Sequence, residues 1–271
     1  MKLLLTRHLW GITENWEQSF PRIKAAGYGA IEAPLPEPGE QARFRALLDQ
    51  YNFAYIAMVF TSGASVSEHL ASFAAQIEAS HVLRPMIINS HSGRDAWDEN
   101  QSREFFSQAL ALEATLSVPV THETHRGRIL FNPWVTRRLL EQFENLRLCA
   151  DLSHWVCVCE RLLDSELDIL NLCAERTTHL HTRVGYEQGP QVPDPRAPEY
   201  AHHLAAHERW WDLIWDAQTA KEQNVSTLTP EFGPPEYLHT LPYSKEPVAD
   251  LNAICDWMAQ RQAARFAIHY S

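Results

Sequence analysis

Basic residues are scarce in this chain: 23 Lys and Arg stand against 34 Asp and Glu, a formal charge of −11 over 271 residues. Nucleic acid is bound by displacing counterions from phosphates with positive charge, and anionic membrane surfaces attract the same charge, so neither is expected as a partner. Long apolar runs are missing too. No stretch approaches the roughly 20 apolar residues of a membrane span, and Leu3, Leu4 and Leu5 are too few for the apolar core of a secretory signal. The five cysteines, Cys149, Cys157, Cys159, Cys173 and Cys255, are odd in number and form no C-x-x-C pair. That pattern makes no disulfide framework, and a reduced, cytoplasmic chain is expected, with the thiols packing as small hydrophobes. Cys157 and Cys159 flank one valine and on a strand would share a face. Glycine is sparse, with ten residues, and no G-x-G-x-x-G or P-loop follows the first apolar run. This argues against a doubly wound nucleotide-binding sheet, the main alternative architecture.

What the sequence does have is alternation. Short apolar runs at residues 3–6, 29–32, 54–59, 85–89, 119–123, 146–151, 179–183 and 227–231 are separated by segments with apolar spacing of three and four. Phe44, Leu47, Leu48 and Tyr51 form one such segment; Leu204, Trp211, Ile214 and Trp215 belong to another. Strand and helix in turn mean a parallel sheet, and eight such units predict a single-domain (β/α)8 TIM barrel spanning residues 1–271. Helix starts are expected after Ser67, at Asn132-Pro133 and at Pro247. Two long connections, 185–203 and 233–246, follow the seventh and eighth strands, on the side where barrels build their sites.

Four consecutive strand ends carry chemistry. Glu123 closes the fifth, Asp151 the sixth, His181 lies on the seventh and Glu231 closes the eighth, at separations of 28, 30 and 50 residues. Each separation fits one βα unit, the last with the long loop added. Three carboxylates at one height on the rim would repel each other and resist ionisation, and a divalent cation removes the conflict. Three oxygen ligands and one nitrogen suit one Mn²⁺, Mg²⁺ or Co²⁺, and Zn²⁺ is also accommodated. The bland alternative for the carboxylates is a set of rim ion pairs with arginine. Other groups near the mouth are candidates for substrate contact: His91 in Asn-Ser-His-Ser-Gly, His125 and Arg126 in His-Glu-Thr-His-Arg-Gly-Arg, Arg183 two residues beyond His181, and Trp10 after the first strand. The arginines could hold a carboxylate or phosphate, and the alternative is a solvated loop. His8 and Glu32, at early strand ends, are weaker candidates, and Trp210-Trp211 reads as packing or an oligomer contact.

These strand ends resemble the xylose isomerase-like barrels, a superfamily of sugar isomerases, epimerases and dehydratases related to endonuclease IV. The resemblance is carried by Glu123, by the Asp-x-x-His of Asp151 and His154, by the His-x-His around His181, and by Glu231. It implies that Glu123, Asp151, His181 and Glu231 bind the metal, with His179 deeper in the barrel, and that His154 faces substrate or a second metal. It also implies that Glu123 and Glu231 act as acid and base in proton transfer beside a carbonyl, through an enediolate that the metal stabilises. The expected activity is therefore a metal-dependent isomerase or epimerase of a sugar, sugar acid or polyol, with a dehydratase of the same superfamily as the alternative. A phosphodiesterase of the endonuclease IV kind and a non-catalytic metabolite-binding barrel stand further off. Relatives in this superfamily are commonly dimers or tetramers, which leaves a homo-oligomer open. The chain departs from the superfamily's ketose 3-epimerases at two positions: Ile129 stands where they carry a Glu, and Glu187 where they carry an Arg. Asp194 matches one ligand of a three-metal cluster, but Arg196 stands where a histidine would follow.

Overall fold

A computed structural model describes residues 1–270. Eight parallel strands close on themselves in sequence order: β1 (Lys2–His8), β2 (Ala30–Pro34), β3 (Ala54–Phe60), β4 (Ile87–His91), β5 (Val120–Glu123), β6 (Leu148–Ala150), β7 (Thr177–His181) and β8 (Val225–Thr229). Closure comes from β1 pairing with β8, with Leu4 opposite Thr227. Nine α-helices wrap the outside among the described residues: α1 (Trp16–Ala25), α2 (Gln41–Gln50), α3 (Val66–Ser80), α4 (Glu99–Glu113), α5 (Pro133–Gln142), α6 (Leu152–Cys159), α7 (Leu167–Arg176), α8 (Ala201–Ala220) and α9 (Leu251–His269). The chain is thus the (β/α)8 barrel that its alternation predicts.

The helices form where apolar spacing and caps coincide. In α2 the three buried residues are Phe44, Leu47 and Leu48, the stripe read from spacing. Asn132 caps α5, its side chain accepting from Val135 N, with Pro133 in the first turn where a missing N–H costs nothing. Two expected starts move. Ser65, not Ser67, caps α3 by accepting from Glu68 N. Asp250, not Pro247, caps α9 by accepting from Ala253 N at 2.8 Å, and Pro247 instead forms an isolated antiparallel bridge with Thr240. Cys157 and Cys159 sit on α6, so no strand face unites them. Trp210 and Trp211 are both buried, so packing explains them.

Strand boundaries shift by about two residues at the ends that matter. The fourth strand runs to His91 rather than stopping at Asn89. The seventh and eighth stop at His181 and Thr229, their last paired residues. Pro230 follows immediately and has no N–H to extend the ladder. Glu231 and Arg183 therefore sit beyond the strands, lifted toward the mouth. Asp151 leaves β6 at once and caps α6, accepting from Ser153 N at 3.0 Å.

Candidate metal centre and active site

The four strand-end groups converge. One ligand atom each from Glu123, Asp151, His181 and Glu231 lies within 4.8 Å of the others. All four residues are buried. The Nδ1 of His181 stands 3.2 Å from Glu231 Oε2, 3.6 Å from Glu123 Oε2 and 4.0 Å from Asp151 Oδ2. It nevertheless makes no hydrogen bond to any of them, and neither does Glu123 Oε1 find a partner among the described residues. Buried polar atoms are almost always paired, so ligand atoms aimed at a common point rather than at each other mark a place for a cation. Ligand atoms around a divalent ion, with bonds of about 2.1 Å, lie roughly 3–4 Å apart, within the spread seen here. The residues fit the ion, and they would hold it through three carboxylates and His181 Nδ1.

Glu32 explains why Nδ1 is the ring nitrogen presented. Its fully buried carboxylate accepts from His181 Nε2 at 3.1 Å, His179 Nε2 at 3.1 Å, Asn89 Nδ2 at 3.0 Å and Thr229 Oγ1 at 2.5 Å. A carboxylate surrounded by donors can only accept, so Nε2 of His181 carries a proton and Nδ1 is the nitrogen turned toward the other carboxylates. Burial works against a charge on the ring, but the surrounding anionic groups, Glu231, Glu32 and Glu123 among them, hold its value well above the ordinary one. A cation bound there would take the place of the Nδ1 proton. Burial by itself would raise the Glu32 carboxyl, but His181 and His179 outweigh it and hold it well below the carboxylate range. Asn89 also donates to Glu123 Oε2 at 2.9 Å, so one amide ties Glu32 to a second ligand. His179 does lie below His181, its Nδ1 sharing a hydrogen with Thr227 Oγ1 at 2.8 Å. Strand-end position was the only sequence signal for Glu32, and it could not show that β2 faces β7 across the barrel. Nothing in the sequence singled out Asn89.

Arg183 occupies the other flank. Its NH2 donates to Asp151 Oδ2 at 2.5 Å and to His154 Nε2 at 2.5 Å, its NH1 lies 3.2 Å from Glu231 Oε2, and its Nε donates to Ser153 Oγ at 3.1 Å. The three carboxylates would carry three negative charges, which a divalent ion together with Arg183 would balance. Burial pushes the Asp151 carboxyl up to about 6, against the pull of Arg183 and with help from Glu231. Burial also works against ionisation of Glu123, but His91 and His181 overcome it and lower that carboxyl.

His91, Glu123 and His125 form a second grouping with ligand atoms inside the same 4.8 Å limit. His91 Nε2 lies 2.9 Å from Glu123 Oε2 but is not hydrogen-bonded to it. His125 stacks over His154, ring centroids 3.8 Å apart, and its Nδ1 contacts Arg126 O. Burial and neighbouring cations keep both His125 and His154 well below the usual histidine value, so both are neutral. His154 is fully buried and is not among the residues that line the cavity at the barrel mouth.

A cavity of about 440 Å³ opens over these groups at the C-terminal mouth. Trp10, His91, His125, Arg183 and Glu231, all singled out in the sequence, line it. Arg126 does not line it; it stacks on Tyr237 at the rim, 5.1 Å from the ring centre. Tyr237 is held between Arg126 and Arg183, the latter 5.0 Å away, and packs edge-on against Trp10. It comes from the long connection after β8, whose sequence signals a site loop but no particular side chain. Arg128 lines the cavity as well. The positions that depart from the epimerase pattern have local roles: Ile129 is buried against Gly93, and Glu187 accepts from His203 at 2.8 Å. Asp194 is paired with Arg196.

No protein-family model matches the chain, and no curated protein matches its sequence. Solved structures do. The 3-keto-D-glucoside 4-epimerase YcjR from E. coli superposes with a TM-score of 0.62 at 11% identity, over 97% of this chain and 100% of its own. The protein described as the probable 3-DHS dehydratase AsbF from Bacillus anthracis gives 0.61 at 12% identity over all of both chains. Endonuclease IV from Thermus thermophilus gives 0.58 at 15% identity, over 98% and 99%. At such identities the likeness concerns the backbone, and what it establishes is that this chain shares the (β/α)8 barrel fold of these structures.

Proposed function

We propose that this protein is a divalent-metal-dependent isomerase or epimerase that moves a proton next to the carbonyl of a small polyhydroxylated substrate. One observation carries the reading: Glu231 lines the cavity while its carboxylate stands 3.2 Å from the His181 nitrogen that aims at the ion site. A proton acceptor and a Lewis acid would thus meet the same substrate atoms. The ion, held by Glu123, Asp151, His181 and Glu231, would polarise the carbonyl as a Lewis acid. Mn²⁺, Mg²⁺ or Co²⁺ suits three carboxylates and an imidazole, and Zn²⁺ can be held by the same set.

The chain's own groups then divide the work. Glu231, at the cavity floor, takes or returns the proton at the carbon beside the carbonyl. Glu123, buried one layer down and kept ionised by His91 and His181, is the second carboxylate on hand for the return step. Arg183 clamps Asp151 and Glu231 and keeps their geometry fixed while the proton moves. His91 and His125, at the cavity wall, are placed to hold substrate hydroxyls, and Trp10 with Tyr237 covers them from solvent.

Purified protein reconstituted with Mn²⁺ and incubated in deuterated water with ketoses, keto-polyols and sugar acids tests this. Incorporation of deuterium next to the carbonyl, lost in Glu231→Gln, is the expected result. Loss of water with an unsaturated product would move the protein to the dehydratase class, which shares the first proton transfer. No exchange with any carbonyl substrate would remove both.

A further inference from the structure

The cavity over the metal centre has two unlike halves. Leu9, Trp10, Pro34, Met58 and Phe60, from the β1 to β3 side, make a wall that offers no charge and no side-chain donor beyond the Trp10 indole. His91, His125, Arg128 and Arg183, from the β4 to β7 side, make a wall rich in cations and imidazoles. A hydroxyl pressed against the first wall would lose its water without gaining a partner. A compound with hydroxyls all round is therefore a poor match for half of this surface.

The cationic wall has a charge to spare. Arg183 is engaged by Asp151 and Glu231. Arg128 is not: its NH1 donates to Thr61 O at 2.9 Å and Gly93 O at 3.3 Å, and no carboxylate lies within 4.0 Å of it among the described residues. Those two carbonyls fix the guanidinium against the cavity but leave its charge unneutralised. The group is half-buried, and burial pulls it down from its ordinary value against the more distant attraction of Glu123 and Asp95, neither of which reaches it as an ion pair. An arginine held over the pocket with no carboxylate in direct contact is a place where an anion would gain a partner.

We infer that the substrate is a small oxyanion-bearing carbonyl compound with one apolar edge. Arg128 holds its carboxylate or phosphate, and ring or chain methylenes lie against Met58, Phe60 and Leu9. Arg128 meets the oxyanion through its fork of N–H groups, which fits two oxygens at once. The reacting carbon then lies over Glu231, on the floor of the same cavity. This rests on the reaction class proposed above, and it narrows the substrate from neutral sugars to acids.

The test measures binding to the Mn²⁺-loaded full chain by calorimetry, with cyclohexanecarboxylate, cyclohexyl phosphate, neutral cyclohexylmethanol and the small polar acid glycolate. At least one anionic ring compound should bind ten-fold or more tightly than cyclohexylmethanol, and whichever anion wins names the headgroup. Arg128→Leu should erase that preference, and Arg128→Lys should keep part of it. Phe60→Ser, which leaves Arg128 in place, should weaken the ring acids toward glycolate. Equal binding of the neutral and anionic rings would overturn the proposal. So would a preference that survives Arg128→Leu, because the carboxylate would then be sitting on the metal. The outcomes separate from the reaction class: selective binding without deuterium exchange leaves the oxyanion subsite standing and the isomerase fallen, whereas exchange on neutral sugars does the reverse.

Discussion

Glu32 and His181 leave different strands, β2 and β7, and meet across the barrel with 3.1 Å between carboxylate Oε1 and ring Nε2. That contact turns the other nitrogen of the ring toward Glu123, Asp151 and Glu231. Glutamine at position 32 keeps the size but offers a single acceptor oxygen to four donors, so an NH2 must face at least one of them. Glu32→Gln should lower Mn²⁺ affinity about 10- to 100-fold, the effect usual for the partner of a ligating histidine. Calorimetric titration of the folded variant checks it, and wild-type affinity would remove Glu32 from the positioning of His181.

Metal content tests the ligand set itself. Protein purified without chelator should carry about one divalent ion per chain, and His181→Ala should lose most of it. Elemental analysis distinguishes this from a second ion on His91, Glu123 and His125: His91→Ala would then lower the count while leaving one ion behind. Full metal retention in His181→Ala would dismiss the assignment.

Stability should fall in mild acid through His207. Its Nδ1 donates to His203 O at 2.8 Å and its Nε2 accepts from Gly185 N at 3.2 Å, so a second proton has nowhere to go. Burial pushes its value down to about 4 from the ordinary 6.5. The unfolded chain therefore binds the proton more readily, and stability that is complete above about pH 6.5 drains away as the pH falls toward 4. The loss attributable to this residue is about 3 kcal/mol. Urea unfolding between pH 7 and 4.5 measures it, and His207→Phe should flatten the slope; an unchanged slope would assign the acid sensitivity to other groups.

Gly185 binds the site to its loop. A Cβ there would stand 2.5 Å from Ser153 O and 2.9 Å from Ser153 Cα, both backbone atoms that cannot swing aside. Ser153 Oγ in turn donates to Asp151 Oδ1 at 2.5 Å and accepts from Arg183. Gly185→Ala should cost about 1–3 kcal/mol of stability and weaken metal binding together, since the start of α6 must move. Thermal melts with and without Mn²⁺ would show a smaller metal-induced rise in the variant; an equal rise would uncouple the loop from the ligands.

Local pattern determined much of this molecule. Alternating apolar spacing, Asn132-Pro133 and the strand-end residues Glu123, Asp151, His181 and Glu231 are properties of short windows, and each window predicts its own element and its height on the rim. Because a parallel barrel repeats one unit, equal height on consecutive strands is enough to place those four groups side by side. Tertiary structure alone decided what meets across the barrel or over its mouth: Glu32 against His181, 149 residues away, Tyr237 between Arg126 and Arg183, and Arg128 held on Thr61 O in the lining of the cavity. It also decided the last residue of β7 and β8, where Pro230 ends the ladder. Periodicity constrains which way a side chain points on its own strand, but the partner it finds depends on how the whole sheet twists and closes, and no local window contains that.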